Sequence, residues 1–264
     1  MVVSTPVMNV MMRASEKAAR SLLRDFNEVE HLQVSRKGPG DFVSAADRRS
    51  EEIIFEELKK ARPDYSFLME ESGEVAGNDS EFRWIIDPLD GTTNFLHGIP
   101  HWAISIGLEH KGEIIAGLIH DPVKDEVFHA EKGKGAFMRR RRLRVSGRDT
   151  AESAMIATGA PRRAADKRKQ FMNEYNAVQD VGFSLRRFGA AALDLAYVAA
   201  GRCDGFWERD LHAWDVAAGI IIVKESGGFI SDLDDIRHNP VNTGNILAAN
   251  ERLFDDLGKI LKKA

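Results

Sequence analysis

Apolar residues recur at helical spacing near the start of the chain. Val7, Val10, Met11, Ala14, Ala18, Leu22 and Phe26 share one stripe, which predicts a helix over about 7–29 that "RKGPGD" then breaks. A second helix is predicted over about 44–61, with Ile53, Ile54 and Leu58 facing inward and Pro63 just beyond its end. The pattern then changes. Short apolar strands are predicted at about 66–69 and 83–87, and "AISIGLEHKGEIIAGLIHD" is two β-rich runs about a Lys-Gly turn, so 102–131 reads as an antiparallel meander. Beyond it, "SAMIATG" reads as a strand and 161–178 as a mostly polar helix opened by Pro161. "AALDLAYVAAG" is a helix ended by Gly201, and "DVAAGIIIVKESGG" another ended by Gly227 and Gly228. A strand near 245–249 and a helix over 250–262 close the chain.

Strands and helices come in mixed blocks with a meander in the middle. That order favours an α+β fold, a layered sandwich, over a doubly wound parallel sheet. Neither repeat nor linker interrupts the pattern, so residues 1–264 are expected to form a single domain with subdomains of about 1–140 and 141–264 sharing one core. A chain of 264 residues, 43% hydrophobic and 30% charged, can bury such a core without staples. Its one cysteine, Cys203, excludes an intramolecular disulfide, fits a reducing cytosol, and reads as a packing residue in preference to a nucleophile. No apolar run approaches the roughly 20 residues that span a bilayer, and no basic region precedes the apolar N-terminal residues, so a soluble, cytoplasmic chain without a membrane partner is expected. The formal charge of -4 argues against a general nucleic-acid binder. Arg139 to Arg142, with Arg144, follow the glycine-rich "EKGKGAF" and read as a solvated hairpin end, in preference to a phosphate or RNA contact.

The chemistry gathers around "WIIDPLDGTTNF", residues 84–95. Asp-Pro-x-Asp-Gly is turn chemistry on its own. Yet "WII" is a buried-looking strand that delivers Asp87 and Asp90 at its C-terminal end, where α/β sheets commonly bind ligands. Two carboxylates that converge across a proline-stiffened turn repel and lose hydration, so a site that keeps them usually holds a cation. Glu70 and Glu71 end another short strand at "MEES", and Asp215 in "HAWD" opens a helix, where an N-cap is the simpler reading. Oxygen donors without a His/Cys cluster select hard ions such as Mg²⁺ over zinc. Gly91, Thr92 and Thr93 add backbone and hydroxyl donors able to cradle a phosphate. No P-loop and no GxGxxG is present, so nucleotide-dependent transfer lacks support. His97, His101 and His212 read as loop or supporting contacts near these motifs, and Trp84, Trp102, Trp207 and Trp214 as core, with Trp214 able to brace Asp215.

Three stretches in this order, "MEESG", "WIIDPLDGTTNF" and "WDVAAGIIIVKESGG", resemble the inositol monophosphatase family of lithium-sensitive, magnesium-dependent phosphatases. The similarity runs from "DFVSAAD" at 41–47 to Gly228, and "RRFGAAALDLAYVAAGRCDGFWE" resembles its bacterial SuhB branch. The resemblance implies the α/β/α/β/α sandwich of the sugar phosphatases and two to three Mg²⁺ ions. It implies Glu70, Asp87, Asp90, Asp215 and the Leu89 carbonyl as metal ligands, and a catalytic set of Glu70 with Asp47 and Thr92, which orient the attacking water. Substrate contacts are implied for Glu70, Leu89, Asp90, Gly91, Thr92, Arg186, Ala191, Glu208 and Asp215. The family's mobile loop would be "SRKGPGD", with Lys37 or Arg36 as its catalytic-loop cation.

The expected activity is hydrolysis of myo-inositol monophosphates or related small phosphate monoesters, with sugar, histidinol and nucleotide phosphatases as neighbouring chemistries in similar proteins. The resemblance also implies a homodimer. For the SuhB branch it implies a protein-binding role beside the transcription machinery, in antitermination or ribosomal RNA maturation, without direct nucleic-acid binding.

Overall fold

The structure, a computed structural model, describes residues 5–28, 34–38, 41–161 and 165–264, with backbone alone at 34–38, 41–44 and 165. Thr5 accepts a hydrogen bond from Met8 N at 3.2 Å and Pro6 fills the first turn, which starts α1 (Pro6–Asn27). The stretch read as a break forms a hairpin, β1 (Val34–Gly38) and β2 (Asp41–Ser44), ahead of α2 (Ala45–Ala61). Then come β3 (Tyr65–Met69), β4 (Gly73–Val75), β5 (Asp79–Asp90) and the short α3 (Thr92–Leu96). The meander is β6 (Ala103–His110), β7 (Glu113–Asp121) and β8 (Glu126–Glu131), continued by β9 (Gly135–Met138) and β10 (Arg141–Arg142). Lys111 and Gly112 turn between β6 and β7 with φ of 53° and 81°. Arg139 to Arg142 form the exposed end of the β9–β10 hairpin, as expected.

The second half holds β11 (Met155–Thr158), α4 (Ala165–Asp180), β12 (Ser184–Arg186), α5 (Ala191–Ala199), β13 (Gly205–Glu208) and α6 (Ala213–Glu225). It closes with β14 (Phe229–Ser231), α7 (Pro240–Thr243), β15 (Ile246–Ala249) and α8 (Glu251–Lys263). Pro161 stands ahead of α4 and is not its first helical residue; residues 162–164 lie outside those described.

Among the described residues there are two large sheets. One has eight strands in the order β10-β9-β8-β7-β6-β5-β3-β4, antiparallel except for the β3–β5 pair. The other has five, in the order β12-β11-β13-β15-β14. Period-two burial sorts their side chains into three cores. On β5, Trp84 and Ile86 join α1 and α2, while Ile85 joins α5 and α6. On β13, Phe206 faces the same α5/α6 core and Trp207 faces α4 and α8. The layers therefore run α1/α2, large sheet, α5/α6, small sheet, α4/α8, and the fold is mixed α+β. Trp84, Trp102 and Trp207 are wholly buried, as is Cys203, whose thiol burial pushes up to about 12. No helix among the described residues is long and apolar enough to cross a membrane.

The middle layer depends on small residues. Gly107 and Gly117 are cross-strand partners on β6 and β7, directly beneath α6. A Cβ at Gly107 would stand 2.9 Å from that of Ala217, and one at Gly117 would stand 2.6 Å from the Ala218 carbonyl oxygen. Gly117→Val should therefore destabilise the fold by about 1–3 kcal/mol through overpacking. Urea unfolding should show a lower midpoint with an unchanged m value.

Candidate active site

Strand β5 ends in a bulge. Asp87 pairs with Ser105 and Asp90 with Ala103, so β5 carries one residue more than its partner between these points. A bulge also accommodates Pro88, which has no N–H for the ladder. Two local bonds fix the turn: Leu89 N donates to Asp87 Oδ1 at 2.9 Å, and Ser50 Oγ on α2 donates to the Pro88 carbonyl at 2.9 Å. Gly91 follows with φ of 88°, in the left-handed region, and a Cβ there would lie 3.1 Å from the His101 carbonyl oxygen.

Asp215 comes to this turn from α6. It is the third residue of that helix, not its N-cap as the local reading favoured; His212 holds the cap, and its N–H donates to Asp215 Oδ2 at 2.6 Å. Asp87, Asp90 and Asp215 each bring a carboxylate oxygen to within 4.8 Å of the others. Burial, then the negative charges of Glu70, Asp90 and Asp215, holds Asp87 well above the ordinary carboxylate range. Asp90 is pushed up to about 8, by burial first and by Asp215 next, against the pull of the Ala192 and Ala191 N–H groups. Acids that raise one another in this way are stable together when protonated or when a cation lies among them. An all-oxygen donor set fits a hard divalent ion.

The neighbouring groups fall into place around this cluster. Glu70 directly follows β3, with its N–H on the Ile86 carbonyl at 3.3 Å, and its charge acts on both Asp87 and Asp90. Buried Glu51 steadies that turn by accepting from Glu71 N at 2.8 Å. Asp47, wholly buried on α2, stands 3.2 Å from Thr92 Oγ1, which also lies 3.0 Å from the Leu89 carbonyl oxygen. The expected Asp47–Thr92 pair is thus formed. From the second half, Ala191 opens α5, and Asp90 Oδ2 accepts from Ala192 N at 2.8 Å. Glu208 ends β13 with its carboxylate against Gly159, where a Cβ would displace it.

Other candidates stand further off. Arg186 is exposed on β12 and donates to Ser184 Oγ and the Leu185 carbonyl of its own strand. The backbone of Arg36 and Lys37 belongs to β1, and their side chains lie outside those described. His101 is half-buried between the rings of Phe188 and Tyr197 and is lowered to about 4, by burial first and Lys124 next. His212 stacks on Trp214, the residue before Asp215, at 4.7 Å.

Two residues near the site escaped the sequence reading. Asp194 is 1% exposed in α5, with Oδ1 unpartnered among the described residues; burial, then the charges of Glu208 and Asp90, raises it well above the ordinary range. Its signal was being the lone charge in "AALDLAYVAA". Asn94, inside "GTTNF", bonds backbone of two other segments.

The profile of the inositol monophosphatase family matches residues 4–263. An inositol-1-monophosphatase of Mesorhizobium japonicum is 54% identical over 257 residues, covering 97% of this chain and 96% of the relative. The Nus factor SuhB of Escherichia coli K12 is 39% identical over 266 residues, covering 98% and 99%. Of solved structures, the extragenic suppressor protein SuhB from Bartonella henselae superposes with a TM-score of 0.95 at 54% identity, covering 98% of this chain and all of the other. An IMPase of Thermotoga maritima superposes with a TM-score of 0.88 at 31% identity, covering 98% of each.

The raised carboxylates set a sign for stability. A group whose folded pKa lies above its unfolded value, about 3.9 for Asp, contributes stability that is complete below the unfolded value and lost as pH rises through the folded one. For Asp90 that upper limit is about 8. Without divalent ions, the melting temperature of the wild type should fall relative to Asp87→Asn as pH is raised from about 6 to 9. Thermal melts in a chelator across that range check it; a difference that does not change with pH would count against strain among these acids.

Proposed function

The chain belongs to the inositol monophosphatase family, and on that premise we propose that it hydrolyses small phosphate monoesters, myo-inositol monophosphates foremost, with Mg²⁺ as its cofactor. The observation that carries this reading is the convergence of Asp87, Asp90 and Asp215 within 4.8 Å at the end of β5. Together with Glu70 and the Leu89 carbonyl, these three would hold two to three ions. Bound there, Mg²⁺ would neutralise the phosphate dianion and acidify the water it holds.

The chain's own groups would do the rest. Thr92, with its hydroxyl between Asp47 and the Leu89 carbonyl, is steered on two sides. Thr92 would thereby orient the attacking water that Glu70 takes a proton from, with Asp47 behind it as a fixed acceptor. The N–H groups of Gly91 and Thr92 would receive phosphate oxygens at the left-handed turn. On the far side Ala191 and Glu208 would face the hydroxyls of the alcohol, with Arg186 reaching in from the rim. A cytoplasmic homodimer is part of the same reading.

Relatives named Nus factor SuhB support a second role, binding of transcription-machinery proteins, in the same chain. The exposed Arg139 to Arg142 turn would be the surface to test for it. Neutralising this turn should abolish capture of such factors while phosphate release is kept; loss of both together would tie the turn to the enzyme.

The main test is Mg²⁺-dependent phosphate release from inositol, sugar, histidinol and nucleotide monophosphates, with Li⁺ as inhibitor. Inositol monophosphates should be the best substrates, and Asp90→Asn should lower kcat by about 10²-fold or more without lowering the melting temperature. Release from none of these esters would overturn the reading.

A further inference from the structure

Asp90 reaches from the β5 turn to the first turn of α5 through its bond to Ala192 N. Asn94, in α3, reaches the segment just ahead of that helix. Its Nδ2 donates to the His101 carbonyl at 2.9 Å and to the Phe188 carbonyl at 2.8 Å. A primary amide has two N–H protons, so both are used. Aspartate there would set a carboxylate against two carbonyl oxygens, and alanine would leave both carbonyls without this donor.

The segment so gripped is short and tightly fitted. Gly189 follows Phe188 with φ of 86°, and a Cβ there would lie 3.3 Å from Asn94 Nδ2. Next, Ala190 Cβ is 3.2 Å from where a Cβ on Gly91 would stand. Ala192 N then donates to Asp90 Oδ2 at 2.8 Å. Within five residues the backbone of 188–192 is hydrogen-bonded twice to the stretch 90–94, and Ala191 sits between the two bonds. The helix it opens, α5, packs on β13, which ends at Glu208.

We propose that Asn94 is a positioning residue for substrate selection: by holding segment 188–192 against the β5 turn it sets the distance between the phosphate end of the site and the Ala191 and Glu208 wall that meets the alcohol. This rests on the phosphatase reading above and adds to it the residue that matches the two ends of the site to one size of polyol. The carboxylates do not depend on it. Asp87 and Asp90 belong to β5 and Asp215 to α6, and Asp90 keeps its own bond to Ala192 when Asn94 is changed. Loss of Asn94 therefore loosens the alcohol wall and leaves the phosphate end in place.

Two esters separate these effects: myo-inositol 1-phosphate, whose ring hydroxyls need the wall, and phenyl phosphate, which offers none. In Asn94→Ala, kcat/KM for the inositol ester should fall about tenfold or more, through KM, since small misplacements of positioning groups cost factors of this size. Phenyl phosphate hydrolysis should stay within about twofold, and the Mg²⁺ midpoint should not move. Asn94→Asp should lose more on the inositol ester than Asn94→Ala. The ratio of the two kcat/KM values cancels any loss of folded protein, so a destabilised variant still answers the question. An unchanged ratio in both variants, whether activity is kept or lost, overturns the role. Wild-type protein that releases phosphate from neither ester overturns the phosphatase reading, and this role with it.

Discussion

Repulsion among buried carboxylates is the constraint around which this fold is arranged. Asp87, Asp90 and Asp215 would separate in a flexible chain, since Asp90 and Asp215 raise the affinity of Asp87 for protons and Asp215 raises that of Asp90. What holds them together is apolar. Strand β5 is an interior strand of the eight-stranded sheet and α6 lies between both sheets, so moving Asp215 away would mean withdrawing a helix whose residues 216–223 are buried throughout. The Gly107–Gly117 pair brings that helix down on the sheet, and the bulge at Pro88 turns both strand acids to one side. The scaffold supplies the convergence, and a cation among the acids would relieve the strain that convergence creates.

Much of this was readable from local pattern, and the failures have a common cause. Helices α1, α2, α5, α6 and α8 show a stripe or an apolar run that glycine, proline or asparagine punctuates, so periodicity finds them. Strands β12, β13 and β14 are three or four residues long and owe their existence to partners distant in sequence, such as Phe206 with Ala248. At the β1–β2 hairpin, glycine and proline marked the turn, while the strands beside it carried too little alternation to register. Pro161 misled because a proline before a helix and a proline that opens one look alike in sequence.

The site divides in the same way. Asp87 and Asp90 stand out because turn residues and acids coincide at the end of a strand. Asp215 was harder: the local reading made it the N-cap, whereas His212 holds that position and Asp215 answers it from the third helical position, and its place in the acidic cluster becomes visible only when α6 is set against β5. Asp47 with Thr92, and Ala192 with Asp90, pair across 45 and 102 residues, and no local pattern announces them. Asp194 differs again, since a lone acid in an apolar helix is a local signal and was available to be read.

Several of these residues hold the fold and the site at once, which decides how they can be dissected. Asp90 accepts from the first turn of α5 and also belongs to the acidic cluster; Asp87 accepts from Leu89 N and does the same. Truncation to alanine would remove the acceptor and the charge together, leaving a buried N–H without a partner. Asparagine keeps an oxygen for that N–H and deletes only the charge. For these positions the isosteric amide separates catalysis from architecture, and it does so because each acid's structural bond asks for an acceptor, while the site asks for a negative charge.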